Sequence, residues 1–454
     1  MNNFFKLEEN NTTVKTEVIA GITTFVTMAY IIFVNPQILA EAGMNQGAVF
    51  VATILSAVIG TLIMAFVANV PFAQAAGMGL NTFFAYSVVI SNELTWQQGL
   101  ACVFICGIIN VLITATKLRI MIINAIPESL QNAIGAGIGL FIAFIGFINA
   151  GIIERGGAFI QLGDLRQPGP LLAIIGLIIT VILVVKNVTG GILIGILATT
   201  IIGIIGQVVF NIKFPVQLPE AWSLSSFFSA PPSLSPTFLQ LDFKGLFSSN
   251  LGITAIIAII VSFSFVDTFD SIGTFIGASA KTGMFDEKND PPKGKGRFAR
   301  KIDKALFADA TATSIGALLG TSNVTTYVES SAGISAGGRT GLTSVVTAIC
   351  FLLTLFLAPV VGIVPSQATA PALIVVGIFM MGSISKVDFD DFEVAAPAFL
   401  TVTLMPFAYS IADGIAAGFI FYVVVKLAKG KFKDIHPIMA VLAFLFVLKY
   451  AFNL

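Results

Sequence analysis

Gly320-Thr-Ser-Asn-Val-Thr-Thr-Tyr-Val-Glu-Ser-Ser-Ala-Gly-Ile-Ser-Ala-Gly-Gly-Arg-Thr-Gly341 is the stretch that decides how this chain folds. It lies between two apolar segments, 304–319 and 342–358, and fifteen of its 22 residues are Gly, Ala, Ser or Thr. It is too short and too polar for an ordinary lipid-facing span, yet it carries Glu329 with no room around it for a soluble domain. A carboxylate at membrane depth is costly and usually functional. Irregular backbone at that depth is tolerated only where protein or a cavity surrounds it. The stretch therefore reads as a broken element buried inside a membrane protein, with its acid facing a site.

The rest of the chain agrees. Of 454 residues, 56% are hydrophobic and 11% charged, against roughly 25% charged in soluble domains. That excludes a large soluble helical core. The net charge of zero gives no hint of nucleic-acid binding. Cys102 and Cys106 lie one helical turn apart in an apolar run and, with Cys350, read as core packing rather than a disulfide or metal pair. The single His436 leaves no histidine cluster for a metal or proton relay. No cofactor or metal is expected. Residues 1–17 are polar and do not read as a cleavable signal peptide.

Apolar segments fall near 18–36, 48–70, 73–91, 97–116, 130–150, 169–186, 190–210, 250–280, 304–319, 322–337, 342–362, 369–384, 394–408 and 410–428, which makes fourteen spans. A further apolar stretch, 436–453, is an extra span or an interfacial helix. The loop 281–304 holds Lys281, Lys288, Lys293, Lys295, Arg297, Arg300, Lys301 and Lys304, a third of the 24 basic residues, and is expected to be cytoplasmic. Lys6, Lys15, Lys117, Arg119, Lys186, Lys386 and Lys426 to Lys433 fall in the same phase, so the N-terminus is expected inside. The chain then divides into a first repeat (1–210, seven segments), an extracytoplasmic linker (211–249), a second repeat (250–435, seven segments) and the apolar tail (436–454). Asn187-Val-Thr-Gly-Gly-Ile-Leu-Ile-Gly195 echoes Ser410-Ile-Ala-Asp-Gly-Ile-Ala-Ala-Gly418, and Pro127-Glu-Ser-Leu-Gln131 echoes Pro365-Ser-Gln367. Seven spans per half place the halves in opposite orientations. Such an inverted repeat is a hallmark of secondary transporters, whose site lies at the interrupted segments.

In segment three, Gly77 and Gly79 let backbone approach a ligand, or serve helix packing, and Asn81 adds a donor and an acceptor. In segment ten, Val324-Thr-Thr-Tyr-Val328 is β-prone and leads into a half-helix that Ser330 or Ser331 would cap. The half-helix would aim its backbone N–H groups at a ligand, with Glu329 at the junction. The structural alternative pairs Glu329 with Arg339 or backbone. Segment eight carries Asp267 and Asp270, three apart and so on one helix face. Two such intramembrane carboxylates do not both ionise easily, which suits proton loading and release. Asp309, read near the cytoplasmic end of segment nine, is taken as structural. Asp413, at the broken junction of segments thirteen and fourteen, reads as gate or packing. Gln131 and Gln367 read as helix-start residues.

Four motifs together resemble the purine permeases for adenine, guanine and hypoxanthine, the AzgA-like branch of the nucleobase–cation symporter 2 family. They are Ala20-Gly-Ile-Thr-Thr-Phe-Val-Thr-Met-Ala-Tyr-Ile-Ile-Phe-Val-Asn-Pro36, Ala76-Gly-Met-Gly-Leu-Asn81, Phe265-Val-Asp-Thr-Phe-Asp-Ser-Ile-Gly-Thr274 and Thr321-Ser-Asn-Val-Thr-Thr-Tyr-Val-Glu-Ser-Ser-Ala-Gly333. The resemblance implies the uracil-permease fold: an all-α membrane protein of fourteen segments in two inverted sevens, with core and gate domains and short strands in segments three and ten. It implies a non-enzyme that imports purine nucleobases with protons across the cytoplasmic membrane, and a homodimer. The residues themselves leave sodium open as the coupling ion. By motif, substrate contacts fall on Asn81, Asp270 and Glu329, with Gly79, Tyr327 and Ser330 beside them. Proton coupling falls on Asp267, Asp270 and Glu329, and Asp413 is the candidate gate. Phe25, Tyr30, Phe83 and Tyr327 are the aromatic candidates to sandwich a base. Against this stand an intramembrane aspartyl enzyme and a carrier of the same fold for xanthine, uracil or an anion. The first normally needs acids on separate helices, and the anion carrier needs basic groups at the half-helix junctions.

Overall fold

The computed structural model describes residues 2–116, 125–156, 160–219, 223, 226–279, 282–286, 290–291 and 298–452. Lys117, Arg119, Lys281, Lys288, Lys293, Lys295 and Arg297, which carry much of the orientation argument, lie outside these described residues. In chain order the elements used below are α1 (Val14–Met28), α2 (Ile31–Glu41), α3 (Gln46–Ile63), β1 (Gln74–Ala76), α4 (Met78–Thr82, continued by a wider turn to Ser91), α5 (Trp96–Ala115) and α6 (Glu128–Asn149). There follow β2 (Ile153–Arg155), β3 (Ile160–Leu162), α7 (Pro168–Val185), α8 (Gly191–Val208), α9 (Ile253–Ser279), α10 (Lys301–Leu319), β4 (Val324–Thr326) and α11 (Ser330–Ser335). The chain closes with α12 (Gly341–Leu353), α13 (Ser366–Met381), α14 (Phe392–Phe407), α15 (Ile411–Ala428) and α16 (Pro437–Phe452).

Among the described residues, ten helical stretches are long and apolar enough to cross a membrane. α10 and the shorter α14 supply the ninth and thirteenth segments. The third and tenth are the broken ones: each is a three-residue strand followed by helix. This is the fourteen-segment all-α membrane architecture expected from the sequence, with the two short strands where the sequence placed them.

Those strands come from opposite halves and pair antiparallel, with Gln74 opposite Thr326, Ala75 opposite Thr325 and Ala76 opposite Val324. Two flanking bonds extend the ladder, Gly77 N–H to the Asn323 carbonyl (2.9 Å) and Tyr327 N–H to the Ala73 carbonyl (3.0 Å). Every residue from Gln74 to Ala76 and from Val324 to Thr326 is buried. Backbone this irregular must be satisfied by protein, because lipid offers it no partners. Asp309 completes that task. Its Oδ1 accepts from Thr326 N–H (3.0 Å), Thr326 Oγ1 (2.8 Å) and Gln74 Nε2 (3.2 Å), and its Oδ2 accepts from Ser271 Oγ (2.6 Å). The acid thus sits at mid-height of α10, level with the strands. This corrects its expected place near the helix end; the alanine- and threonine-rich sequence of α10 hides where its middle lies.

Around the strands, α1–α5, α9–α12 and their strands pack mainly on one another, and α6–α8 and α13–α15 form a second group. In the second group α6 meets α13 at backbone contact. A Cβ built on Gly139 would lie 2.7 Å from the Gly377 carbonyl oxygen, and one on Gly377 would lie 2.5 Å from that of Gly139. Such reciprocal close approach is how small residues hold helices together where lipid supplies no hydrophobic drive. At the start of α1, buried Glu17 accepts from Arg339 N–H (2.9 Å), Thr340 Oγ1 (2.9 Å), Thr343 N–H (3.1 Å) and Thr343 Oγ1 (2.6 Å), and so caps α12. The tail helix α16 lies antiparallel along α15. Phe446 packs on Phe419 (6.1 Å between ring centres), and Lys449 reaches Asp413 (2.8 Å). It is therefore packed along the bundle rather than splayed from it.

Candidate functional site

A cavity of about 80 Å³ lies against the crossing strands. One ordered water needs roughly 10–15 Å³ by this measure, so the space holds one small molecule and not a polymer. Its walls come from both halves and both helix groups: Tyr30 from the break between α1 and α2, the turn 77–80, Asp270 and Thr274 of α9, residues 325–329, Ile138 of α6, and Val376, Phe379 and Met380 of α13.

The polar groups converge on two carboxylates. Tyr30 donates its hydroxyl to Glu329 Oε1 at 2.5 Å. Thr325 Oγ1 donates to Asp270 Oδ2 at 3.2 Å. The Tyr327 hydroxyl is anchored on the Ala76 carbonyl (2.5 Å), and its ring stands 6.5 Å from that of Tyr30 at 42°. Two tyrosine faces, two acids and the start of α4 therefore bound one space. At the start of α4 the N–H groups of Met78, Gly79 and Leu80 have no partner within the helix, as holds for any first turn, and all three residues line the cavity.

This geometry amends several expectations. Helix α11 does not aim its N–H groups at the cavity: those of Ser330, Ser331 and Ala332 bond the carbonyls of Tyr327, Val328 and Glu329 (3.1, 2.9 and 3.0 Å). The first-turn residues on the cavity wall are instead those of α4. Ser330 does not cap its own helix and is not on the cavity wall; its Oγ accepts from Ala73 N–H across the strand pair (3.1 Å). Glu329 is not paired with Arg339, whose guanidinium donates to the Ile334 and Gly338 carbonyls.

Asn81 lies behind the wall. Its Nδ2 donates to Asn35 Oδ1 (3.0 Å), and Asn35 Nδ2 donates to Thr53 Oγ1 and Thr321 Oγ1 (2.7 and 2.9 Å). Asp267 faces away from the cavity and accepts from Asn110 (2.9 Å) and Thr313 (3.2 Å). Residues three apart on a helix differ by about 60° in direction, and here that turn separates the two aspartates. Asp413 holds Lys449 and Tyr450 of α16 and is not on the cavity wall. Phe25 packs on Phe351 and Phe83 on Phe263, so of the four aromatic candidates only Tyr30 and Tyr327 line the space. At Gly79 a Cβ would lie 2.6 Å from Ile138 Cγ2, so packing against α6 already demands that glycine. Sequence reasoning gave no special weight to Tyr30; its signal was its place beside a helix break ahead of Pro36.

The sequence matches the Permease family over residues 15–417. The chain belongs to that family. This permease is 44% identical over 450 residues to the adenine permease AdeP of Escherichia coli K12, covering 99% of the chain and 95% of that protein. It is 43% identical to the guanine/hypoxanthine permease PbuG of Bacillus subtilis 168, each covered in full. Among solved structures the permease resembles the transmembrane domain of the cyanobacterial bicarbonate transporter BicA. The TM-score is 0.59 at 14% identity, over 91% of this chain and 96% of that one. At such low identity the likeness speaks to fold alone: the uracil-permease-like membrane fold with its broken third and tenth segments. The permease is a multi-pass membrane transporter and not an enzyme.

Proposed function

We propose that this permease imports purine nucleobases, namely hypoxanthine, guanine or adenine, across the cytoplasmic membrane together with protons. The observation that carries the reading is the cavity's mixture of groups: Asp270 and Glu329 as acceptors, the start of α4 as donor, and the Tyr30 and Tyr327 rings beside them. A purine edge alternates donors and acceptors around a flat apolar body. Ring and exocyclic N–H groups suit the carboxylates, carbonyl or ring nitrogen suits the α4 amides, and the faces suit tyrosine. The names of its relatives support the same substrate class. Carboxylates on the wall disfavour an anion, which speaks against the bicarbonate cargo of the fold neighbour.

Coupling to protons is assigned to Asp270 and Glu329, with Asp267 behind them. The basic segments are placed inside, so the N-terminus is cytoplasmic and 211–249 lies outside. Uptake of labelled hypoxanthine, competed by adenine, guanine, xanthine and uracil, tests the substrate. Abolition of accumulation by a protonophore tests the ion. Accumulation that survives the protonophore and follows a sodium gradient would overturn the proton assignment.

A further inference from the structure

Any carrier of one central site must close it on one side while it opens on the other. The two ends of this bundle differ in the way that requires. Toward the end of the basic segments, Asp270, Gly273 and Gly277 form one stripe of α9, spaced i, i+3 and i+7. Gly273 and Gly277 are exposed, and nothing lies within 4 Å of where their Cβ atoms would be. Beyond Asp270, that stripe of α9 is therefore uncovered toward that end by the described residues.

At the opposite end the two helix groups are laced together. Gln37 of α2 donates to the Val364 carbonyl (2.8 Å) and accepts from Thr369 of α13. Ser87 of the extended α4 donates to the Tyr409 carbonyl (3.0 Å). Between them sits a triad: the Tyr86 hydroxyl donates to Glu41 Oε2 (2.8 Å), and Asn149 Nδ2 donates both to Glu41 Oε1 (3.2 Å) and to the Tyr86 oxygen (3.1 Å). Glu41 and Tyr86 belong to the first group, whereas Asn149 ends α6 of the second. Behind the triad, Tyr409 packs its ring on Tyr86, Phe141 and Phe144, at 6.2, 5.9 and 5.7 Å. Its backbone is left-handed (φ 56°), a strained state for a tyrosine at the α14–α15 junction.

We propose that Glu41, Tyr86 and Asn149, backed by Tyr409, are the outer gate of this permease, seen closed. The chemistry suits a contact that parts in every cycle. Glu41 is exposed, so water competes for its carboxylate and replaces the Asn149 bond when the groups separate. Tyr86 and Tyr409 supply the apolar plug that excludes water while the gate is shut. The side named outer rests on the orientation given above; the gate itself rests on the transport reading and not on which solute is carried.

Two measurements test it. In Glu41→Cys/Asn149→Cys, a short bifunctional thiol reagent reversible by dithiothreitol is expected to link the two positions and abolish labelled hypoxanthine uptake. Reductant should restore uptake, and the single variants should be unaffected by the reagent. Failure to link, or full transport while linked, would overturn the gate. The second measurement needs no substrate. A reporter cysteine at Val376, on the cavity wall, is exposed to a membrane-impermeant maleimide from outside. Tyr86→Phe and Asn149→Ala, each losing gate hydrogen bonds, should raise its labelling rate about 2- to 10-fold. Unchanged labelling in both would overturn the proposal. If the parent takes up no hypoxanthine, the substrate assignment fails, and the gate is judged on linking and labelling alone.

Discussion

Tyr30 and Glu329 touch each other across about 300 residues of chain, and that contact makes a sharp prediction about affinity. Glu329 Oε1 takes the Tyr30 hydroxyl at 2.5 Å, while the carboxylate lies on the cavity wall. In Glu329→Gln the side chain keeps its size but loses its charge, and an acceptor becomes a donor. Losing a hydrogen bond to a charged group costs about 1.5–3 kcal/mol, so hypoxanthine should bind roughly 10- to 150-fold more weakly. Tyr30→Phe keeps the ring and removes only the hydroxyl that orients the acid. A misaimed carboxylate should cost about 1.4 kcal/mol, or tenfold. If Tyr30 acts through Glu329, the double variant should bind no worse than Glu329→Gln alone, a coupling of about 1.4 kcal/mol in the cycle. Equilibrium binding of labelled hypoxanthine to purified protein measures all four corners. Additive penalties would refute the argument. Tight binding with lost transport in Glu329→Gln would instead move substrate contact to Asp270 and leave Glu329 with protons.

Three further outcomes are expected. Asp309→Ala should lower stability by about 2–6 kcal/mol, because it strands the buried N–H donors of Thr326 and Gln74 at about 1–3 kcal/mol each; Asp309→Asn should recover most of this, and thermal unfolding in detergent reads both. Lys449→Met should loosen α16 by about 1–3 kcal/mol, between the values for exposed and buried ion pairs, seen as faster proteolysis of the tail with little change in purine binding. Single cysteines at Ser233 and at Lys295, the latter outside the described residues, should label from outside and inside respectively; labelling of Lys295→Cys from outside in intact cells would invert the topology.

Much of the architecture was legible because lipid leaves few choices. Polar, glycine-rich stretches between apolar spans can survive only as buried broken segments, and that placed both strands and Glu329. Asp270 was legible for the same reason. What escaped was direction and distant pairing. Asp267 and Asp270 look equivalent at a spacing of three, yet Asn110 and Thr313, supplied by α5 and α10, draw one away from the cavity. Asn81 was misread because its partner Asn35 sits in another segment, and no local rule links the two. Ser330 looked like a helix cap because its true partner, the Ala73 amide, lies 257 residues away. The C-terminal helix could not be placed from hydropathy alone; its ion pair with Asp413 places it.

The strand pair has a consequence for how the protein is made. β1 emerges from the ribosome some 250 residues before β4, the strand that completes it. Until then its amides and carbonyls have no ladder, and a bare peptide group in hydrocarbon costs several kcal/mol. The first seven segments therefore cannot settle at their final depth on their own; the 73–77 stretch must wait in water, at the interface or in the insertion machinery. A truncated chain ending before Val324 should be a substrate for membrane quality control, whereas the same fragment made alongside the missing half should be rescued, since the two strands need only meet and not be covalently joined.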